Sequence, residues 1–435
     1  MVNYDLIIQW CDIAILIAYV VMLFTFWYYI VYFLLCFKKP KKYPKGTKNY
    51  KFCVIIPARN ECNVIENNLI SLKKQTYPKD KYDVYVIVES KDDPTCKITK
   101  KLGYNFYIRK DLVNKGTKGF AIREFIEDLK VKGINANYDA YMIFDADNRM
   151  DSNYLERMNN LKNAGYQVGF GYRNFSNANK NYVTINSAVL FATLNGIFSK
   201  GRSIVFDKIM LNGTGYYIDR QIIDDIGSWI FVGMTEDVQL TTYCTYHNVK
   251  MGYDETVQYY DEQPEDFKTM HKQHVRWVWG FLASRKPFKK KDYDYKAKKK
   301  VMKNIAIVEY NCSLWPLVVY IVLTLVSFLI AFALFLSSFY FDISKAGWLF
   351  LHSLIPFFSV YVLFMISCIV VLIANRKQFK FSFKNNLFIV FTFGFWFFDF
   401  VSGFFDGLVH KKKRNLWTVV PHNGDVTNQE LTNKK

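Results

Sequence analysis

Two kinds of text alternate along this chain. From Ile13 to Phe37, and again from about Ser313 to Leu408, apolar residues run almost without interruption. Between them, Tyr50–Tyr310 breaks into short apolar runs separated by glycine and charge. About 20 apolar residues suffice to cross a bilayer. Ile13–Phe37 therefore predicts one membrane span, and Ser313–Phe341 and Ala346–Ala374 predict two more, joined by a short outer loop at Asp342–Lys345. The first run lacks a basic leader and a small-residue cleavage site, so it reads as an anchor rather than a signal peptide. Leu387–Leu408 fits a span less well, because it carries Asp399, Asp406 and three glycines. It reads as an interfacial or re-entrant helix, with a fourth span as the alternative.

The middle of the chain has a different rhythm. "FCVIIP" (Phe52–Pro57) is a short apolar run ending at a proline, the pattern of a buried parallel strand. Asp83–Glu89, Phe106–Ile108 and Tyr138–Phe144 predict further strands, with helices over Asn63–Gln75 and Phe120–Lys130 between them. Strands alternating with helices predict a parallel, Rossmann-like α/β sheet. Ligands of such sheets gather at the carboxyl ends of the strands. Three of these strands run into polar or acidic residues there: Arg59–Glu61, Glu89, and Asp145 with Asp147.

Charge adds an orientation. The chain carries a net charge of +19, and the positives cluster at Lys38–Lys51, Arg285–Lys303, Arg376–Lys384 and Lys411–Arg414, each beside an apolar run. Basic residues next to spans mark the cytoplasmic side and suit an anionic leaflet. The expectation is a multi-pass protein of the plasma membrane with its N-terminus outside and its soluble domain and C-terminus in the cytoplasm. A nucleic-acid partner is not expected, since aromatics do not interleave with the charge on one soluble face. The eight cysteines are scattered, without a C-x-x-C, so neither a disulfide framework nor a zinc site is expected. Cys36, at a membrane boundary, is a candidate for acylation.

Four motifs carry possible chemistry. "DAD" (Asp145–Asp147) follows a buried strand, and two carboxylates one residue apart can meet at one point if the chain turns. Such hard oxygen ligands suit Mg2+ or Mn2+ on a diphosphate. "MTEDVQL" reads on spacing alone as a helix start with Thr235 as N-cap and acids in the first turn; the functional alternative is a site in which Asp237 is a general base. "LNGTGYYIDR" (Leu211–Arg220) offers glycines for close approach to a ligand, or for a tight turn. In "HKQHVRWVWGF", Gln273, Arg276 and Trp277 could hold a diphosphate and a sugar, or could mark a helix at headgroup depth.

Taken in order, acid-tipped strands, D-x-D, Thr-Glu-Asp, Gln-x-x-Arg-Trp and then apolar helices, the chain resembles the processive, membrane-integrated family 2 glycosyltransferases, which include cellulose, hyaluronan and chitin synthases and plant glucan and mannan backbone synthases. The resemblance covers about Phe52 to Phe281 plus the flanking helices. It implies a glycosyltransferase-A domain over residues 50–265, with an anchor at 1–40 and interfacial helices bearing the Gln-x-x-Arg-Trp motif at 266–312. It also implies two spans at 313–374, an interfacial, re-entrant or fourth spanning helix at 385–410 and a cytoplasmic tail at 411–435. Glu61 and Glu89 would lie near the uridine of a UDP-sugar, Glu89 standing where relatives carry an aspartate. Lys118 would lie near the diphosphate. Asp145 and Asp147 would engage UDP and Mg2+ or Mn2+, and Asp237 would be the base. Glu236, Asn212, Gly213 and Trp277 would face the acceptor, with Gln273 and Arg276 on the donor. The implied reaction inverts the anomeric centre, polymerises sugar from UDP-glucose into a β-glucan of 1,4 and/or 1,3 linkage, and secretes it. UDP-N-acetylglucosamine as donor, a non-processive lipid glucosyltransferase and an inactive scaffold stay open, as does a homo-oligomer. The tail "NLWTVVPH" (Asn415–His422) resembles a segment that closes over the donor in some relatives.

Overall fold

A computed structural model describes residues 4–111, 116–284, 309–310, 315–340, 345–379 and 381–410. The basic runs at 285–303 and 411–414 and the "NLWTVVPH" tail lie outside the described residues. The chain begins with α1 (Tyr4–Cys36) and enters an α/β domain through β1 (Phe52–Pro57), α2 (Ile65–Lys73), β2 (Tyr82–Val88), α3 (Thr95–Lys101) and β3 (Asn105–Ile108). There follow α4 (Lys118–Val131), β4 (Ala140–Ile143), β5 (Arg149–Met150), α5 (Tyr154–Asn163) and β6 (Val168–Phe175). A long buried helical run comes next: α6 (Tyr182–Thr193), a π-helical stretch (Leu194–Gly201) and α7 (Arg202–Phe206). The domain closes with β7 (Tyr216–Asp219), α8 (Arg220–Ile226), α9 (Glu236–Tyr246), β8 (Met251–Asp261) and α10 (Phe267–Ser284). Four apolar helices complete the described chain: α11 (Trp315–Ser337), α12 (Ala346–Ala374), α13 (Phe383–Thr392) and α14 (Phe395–Val409).

The fold is a glycosyltransferase-A-like α/β fold around a single mixed sheet. Its strand order is β3-β2-β1-β4-β7-β6-β8-β5. The four strands expected from the sequence are the parallel half, with Phe52 paired to both Tyr82 and Ala140. The expectation of a parallel sheet needs correction for the other half. There β7 runs antiparallel to both β4 and β6, and β5 antiparallel to β8. The strands missed by the sequence reading are rich in Gly, Tyr and polar residues, as in "VGFGYRNF" and "MGYDETVQYYD", so they lack the dense aliphatic signature of a buried strand. The core strand β1 has Phe52–Ile56 fully buried, which is why its sequence is apolar on both faces.

Among the described helices, α1 and α12 have the length and composition to cross a membrane, and α11 adds 23 predominantly apolar residues. Leu16, Leu23 and Leu34 on α1 are largely uncovered by protein. Tyr182–Phe206 is also long and apolar, but most of it is buried inside the domain. Its apolar character is therefore explained by packing. The segment 387–408, ambiguous from sequence, divides into α13 and α14 on either side of Phe393–Gly394. At 10 and 15 residues, each falls short of the roughly 20 needed to span. Both helices share a continuous core with the α/β domain through Ile389, Phe393 and Trp396.

Helix α1 is tied to the α/β domain by a buried polar contact. The Lys200 ammonium donates to the carbonyls of Cys36 (3.1 Å) and Lys38 (2.6 Å), at the carboxyl end of α1, and pairs with Glu255 at 2.8 Å. A cation there meets the negative end of the helix dipole and its unpaired carbonyls. The strap that follows lies along the domain, with Gly46 N and Tyr50 N donating to Asn160 and Asn159. Cys36 is itself buried, packed in one cluster with Tyr32, Phe33 and Ile197. A thiol covered in this way is not presented to an acyl donor, so the structure does not support the acylation expectation.

Candidate active site

The antiparallel pairing of β4 and β7 builds the centre of the site. Ile143, at the end of β4, lies opposite Tyr216, at the start of β7. The "DADN" turn leaving one strand is thereby set against the "NGTG" turn entering the other. Gly215 N donates to Ile143 O (2.9 Å), and Asp145 N donates to Thr214 Oγ1 (2.8 Å). The Thr214 hydroxyl in turn donates to the Asn148 side chain. Gly215 sits at φ +71°, and an added Cβ would lie 2.5 Å from the Tyr259 ring. Gly215→Ala is expected to cost about 1–3 kcal/mol through strain and overpacking. A fall in the thermal midpoint of the purified protein would report it.

On this frame the charged groups converge. Lys118, the first residue of α4, places its ammonium 2.7 Å from Asp145 Oδ1, 3.3 Å from Glu236 Oε1 and 2.6 Å from the Gly213 carbonyl. Burial alone would release its proton, but Asp145 and Glu236 more than offset that and hold it charged above the ordinary lysine range. Lys118 therefore ties the D-x-D turn to the Thr-Glu-Asp helix start. Glu236 is almost fully buried and faces this lysine, whereas Asp237 beside it keeps some exposure. Burial, then the Glu236 charge, pushes the Asp237 carboxyl up to about 7. Asp237 Oδ2 lies 3.9 Å from the position a Cβ on Gly213 would occupy, so the glycine keeps space open in front of the carboxylate.

The Gln-x-x-Arg-Trp helix, α10, reaches this cluster because of a glycine. A Cβ on Gly280 would lie 2.4 Å from Thr235 Cγ2, so α10 packs directly on the loop that starts α9. One turn farther, the Thr235 and Ser284 hydroxyls share a hydrogen bond of 2.8 Å. Arg276, one turn before Gly280, is thereby brought into the field of Glu236, Asp145 and Asp237. Burial lowers its affinity for its proton, and those three carboxylates oppose the loss. Gln273 shares this face of α10, and its Oε1 is buried without a hydrogen-bond partner among the described residues. Trp277 meets Phe191 edge-on at 5.6 Å and leans on His274 at 5.0 Å.

The remaining expected residues line the carboxyl ends of the adjacent parallel strands. Glu89, just past β2, is ion-paired to Arg59 and lies 3.6 Å from the Arg109 guanidinium. Glu61, beyond β1, donates its backbone N–H to Thr95 Oγ1, while Asp93 accepts from Asn60 N and Thr95 N. These bonds bind the two loops into one wall. Asp147 Oδ1 accepts from Asn148 Nδ2, and its Oδ2 from Glu262 N, both at 3.3 Å. The Asn212 amide, oriented to donate, reaches the carbonyls of Met210 and Leu211, and the Asn212 carbonyl accepts from Arg173.

Arg173 and Asp261 were missed by sequence reasoning. They form a buried ion pair between β6 and β8, beneath the "NGTG" turn. Arg173 helps to lower Asp237 toward ionisation, and Asp261 is itself pushed up to about 7 by burial. The polar run "YYDEQPED" was the available signal for Asp261. Nothing local marks Arg173, since only strand pairing delivers it.

Residues 49–280 match the family described as "Glycosyltransferase like family 2". The chain belongs to this family. It is 27% identical to the "Probable glycosyltransferase YdaM" of Bacillus subtilis, over 54% of this chain and 57% of that protein. It is 26% identical to "Glucomannan 4-beta-mannosyltransferase 7" of Arabidopsis thaliana, over 58% and 48% of the two chains. A third relative is the "Beta-monoglucosyldiacylglycerol synthase" of Synechocystis, 26% identical over 46% and 41%. The chain spans about half the length of these curated relatives. Among solved structures it is similar to the mannosyltransferase PcManGT from Pyrobaculum calidifontis, in complex with GDP-Man and Mn2+. That match has 14% identity and a TM-score of 0.48, and it covers 83% of this chain and 99% of that one.

Proposed function

We propose that this family 2 glycosyltransferase is an inverting, processive, membrane-embedded synthase that builds a β-linked glucan from UDP-glucose. The observation that carries the reading is the convergence of one lysine and one arginine, Lys118 and Arg276, on Asp145, Glu236 and Asp237. A departing nucleoside diphosphate needs positive charge, and an attacking hydroxyl needs a base; the cluster offers both. Glu61 and Glu89 would face the uridine, and Lys118, Gln273 and Arg276 the diphosphate. Asp237 takes the proton of the acceptor hydroxyl as that oxygen attacks the anomeric carbon from the side opposite UDP. Attack on that side converts an α-linked donor into a β-linked product. Trp277 offers the acceptor sugar an apolar face, with Glu236, Asn212 and Gly213 shaping the acceptor side.

Asp145 and Asp147 would hold Mg2+ or Mn2+. Among the described residues, no three His, Cys, Asp or Glu side chains form a closed metal site. Two carboxylates with further positions left for diphosphate and water suit these hard ions. Lys118 already neutralises Asp145, which leaves Asp147 as the firmer ligand. When bound, the ion would offset negative charge on the departing diphosphate.

The uncovered apolar faces of α1 and α12 support a lipid bilayer as partner, and the basic runs beside the apolar segments suit an α/β domain on the cytoplasmic side. The helices would give a hydrophilic polymer its way out. The test is a donor panel of UDP-glucose, UDP-N-acetylglucosamine and GDP-mannose, supplied to the purified protein with Mn2+ and read by nucleoside diphosphate release and product size. UDP-glucose should give glucanase-sensitive polymer, and EDTA should stop it. Label found only in lipid extracts would transfer the assignment to a lipid glucosyltransferase. Turnover confined to GDP-mannose would refute the donor.

A further inference from the structure

The face of α10 that turns away from the site is held by an unusual polar contact. At about 100° per residue, Gln273, Arg276, Trp277 and Gly280 share one side of the helix, and His271, His274, Val275 and Trp279 fall on the other. That second side packs on α14. Along α14, Asp399, Gly403 and Gly407 recur every four residues and so form one stripe. A Cβ on Gly403 would touch Val275 at 3.5 Å, and one on Gly407 would overlap the Trp279 indole. Phe404 stacks on Trp279 at 5.5 Å with the rings nearly parallel. Asp399, at the head of the stripe, is buried, and its two oxygens meet two imidazoles. His271 Nδ1 lies 2.6 Å from Oδ1, and His274 Nδ1 is hydrogen-bonded to Oδ2.

These contacts differ in what they constrain. Glycines against Val275 and Trp279 set how close the helices come, but smooth apolar contact tolerates a roll of α10 about its axis. Two directional hydrogen bonds, one turn apart on α10 and converging on one carboxylate, do not. His274 also connects the clamp to the site, since its ring stacks on Phe400 at 4.6 Å and lies 5.0 Å from Trp277. We infer that Asp399 is a positioning residue: through His271 and His274 it fixes the roll of α10, and with it the aim of Gln273, Arg276 and Trp277. The inference rests on the proposed role of that helix face. It gives the segment 387–408 a task in the reaction that is separate from spanning a bilayer.

Misplacement of a reacting group by about 1 Å can cost about 10²-fold in rate. Asp399→Leu removes both acceptors and is expected to lower kcat by about 10- to 100-fold, with donor KM changed far less. Asp399→Asn keeps the size and can accept from one imidazole while donating to the other, so it should recover most of that loss. The assay uses the full chain in detergent, normalised to monodisperse folded protein, with the donor identified by the panel above. Arg276→Ala is run alongside. A wild-type kcat in Asp399→Leu, with Arg276→Ala inactive, overturns the positioning role and leaves the site assignment intact. Equal turnover by wild type and Arg276→Ala overturns the site assignment itself. If Asp399→Leu does not fold, His271→Leu, at a position less buried than Asp399, removes one bond of the clamp and decides the matter by the same kcat-against-KM comparison. An unchanged kcat there defeats the inference, and a several-fold fall at constant KM upholds it.

Discussion

Asp237→Asn is expected to lower kcat by about 10²- to 10⁴-fold, the usual worth of a positioned general base, with donor binding little changed. The amide preserves shape and the hydrogen bond from the backbone but cannot take the acceptor's proton. The loss should be visible as nucleoside diphosphate release falling toward the level without acceptor. The pH dependence follows from the same residue. Burial and the neighbouring Glu236 charge raise the Asp237 carboxyl to about 7, and only the ionised form serves as base. kcat/KM should therefore rise with pH and level off above about 7, falling roughly tenfold per unit below it. Glu236→Gln removes the second of those causes, so the acid limb should shift to lower pH. A profile in Glu236→Gln identical to wild type would mean that the base is not Asp237.

Arg276→Ala should lower kcat by about 10²- to 10³-fold, the cost typical of deleting one group that stabilises charge in the transition state. Two features distinguish this loss from simple unfolding. Arg276→Lys keeps the charge but loses the planar fork that can grip two oxygens, so it should recover only part of the activity. Removing the guanidinium also leaves Glu236 and Asp237 with less compensation, so each of these two carboxyls should hold its proton more tightly. The acid limb of kcat/KM should consequently move upward in Arg276→Ala. A normal rate at every pH in this variant would remove the main support for a diphosphate-binding role.

Much of the domain was legible because its signals are local. Phe52–Pro57 and Tyr82–Val88 are apolar on both faces, as strands buried in a parallel sheet must be, and the acids beyond them stand where such sheets bind ligands. The long apolar helices were legible for a similar reason, since an unbroken apolar run of more than about 18 residues suits a helix and not a strand. The second half of the sheet was not. In β6 and β8 the residues answer to partners far along the chain: Gly169 leaves room for the Tyr217 ring, and Arg173 pairs with Asp261. No periodicity encodes such pairings.

The sequence alone determined the parallel half of the sheet, the acid-tipped strands, the identity of the motifs and the apolar helices, all of which follow from short-range pattern and composition. Only the tertiary structure decided that β7 runs antiparallel and lays "NGTG" on "DADN", that Lys118 joins Asp145 to Glu236, and that Gly280 lets α10 bring Arg276 to both. It also decided that 387–408 breaks into two helices, one of which clamps α10 through Asp399. The reason is physical: a side chain's partner across a strand pairing or a helix contact depends on register and approach distance, and neither is written within the few residues that form each element.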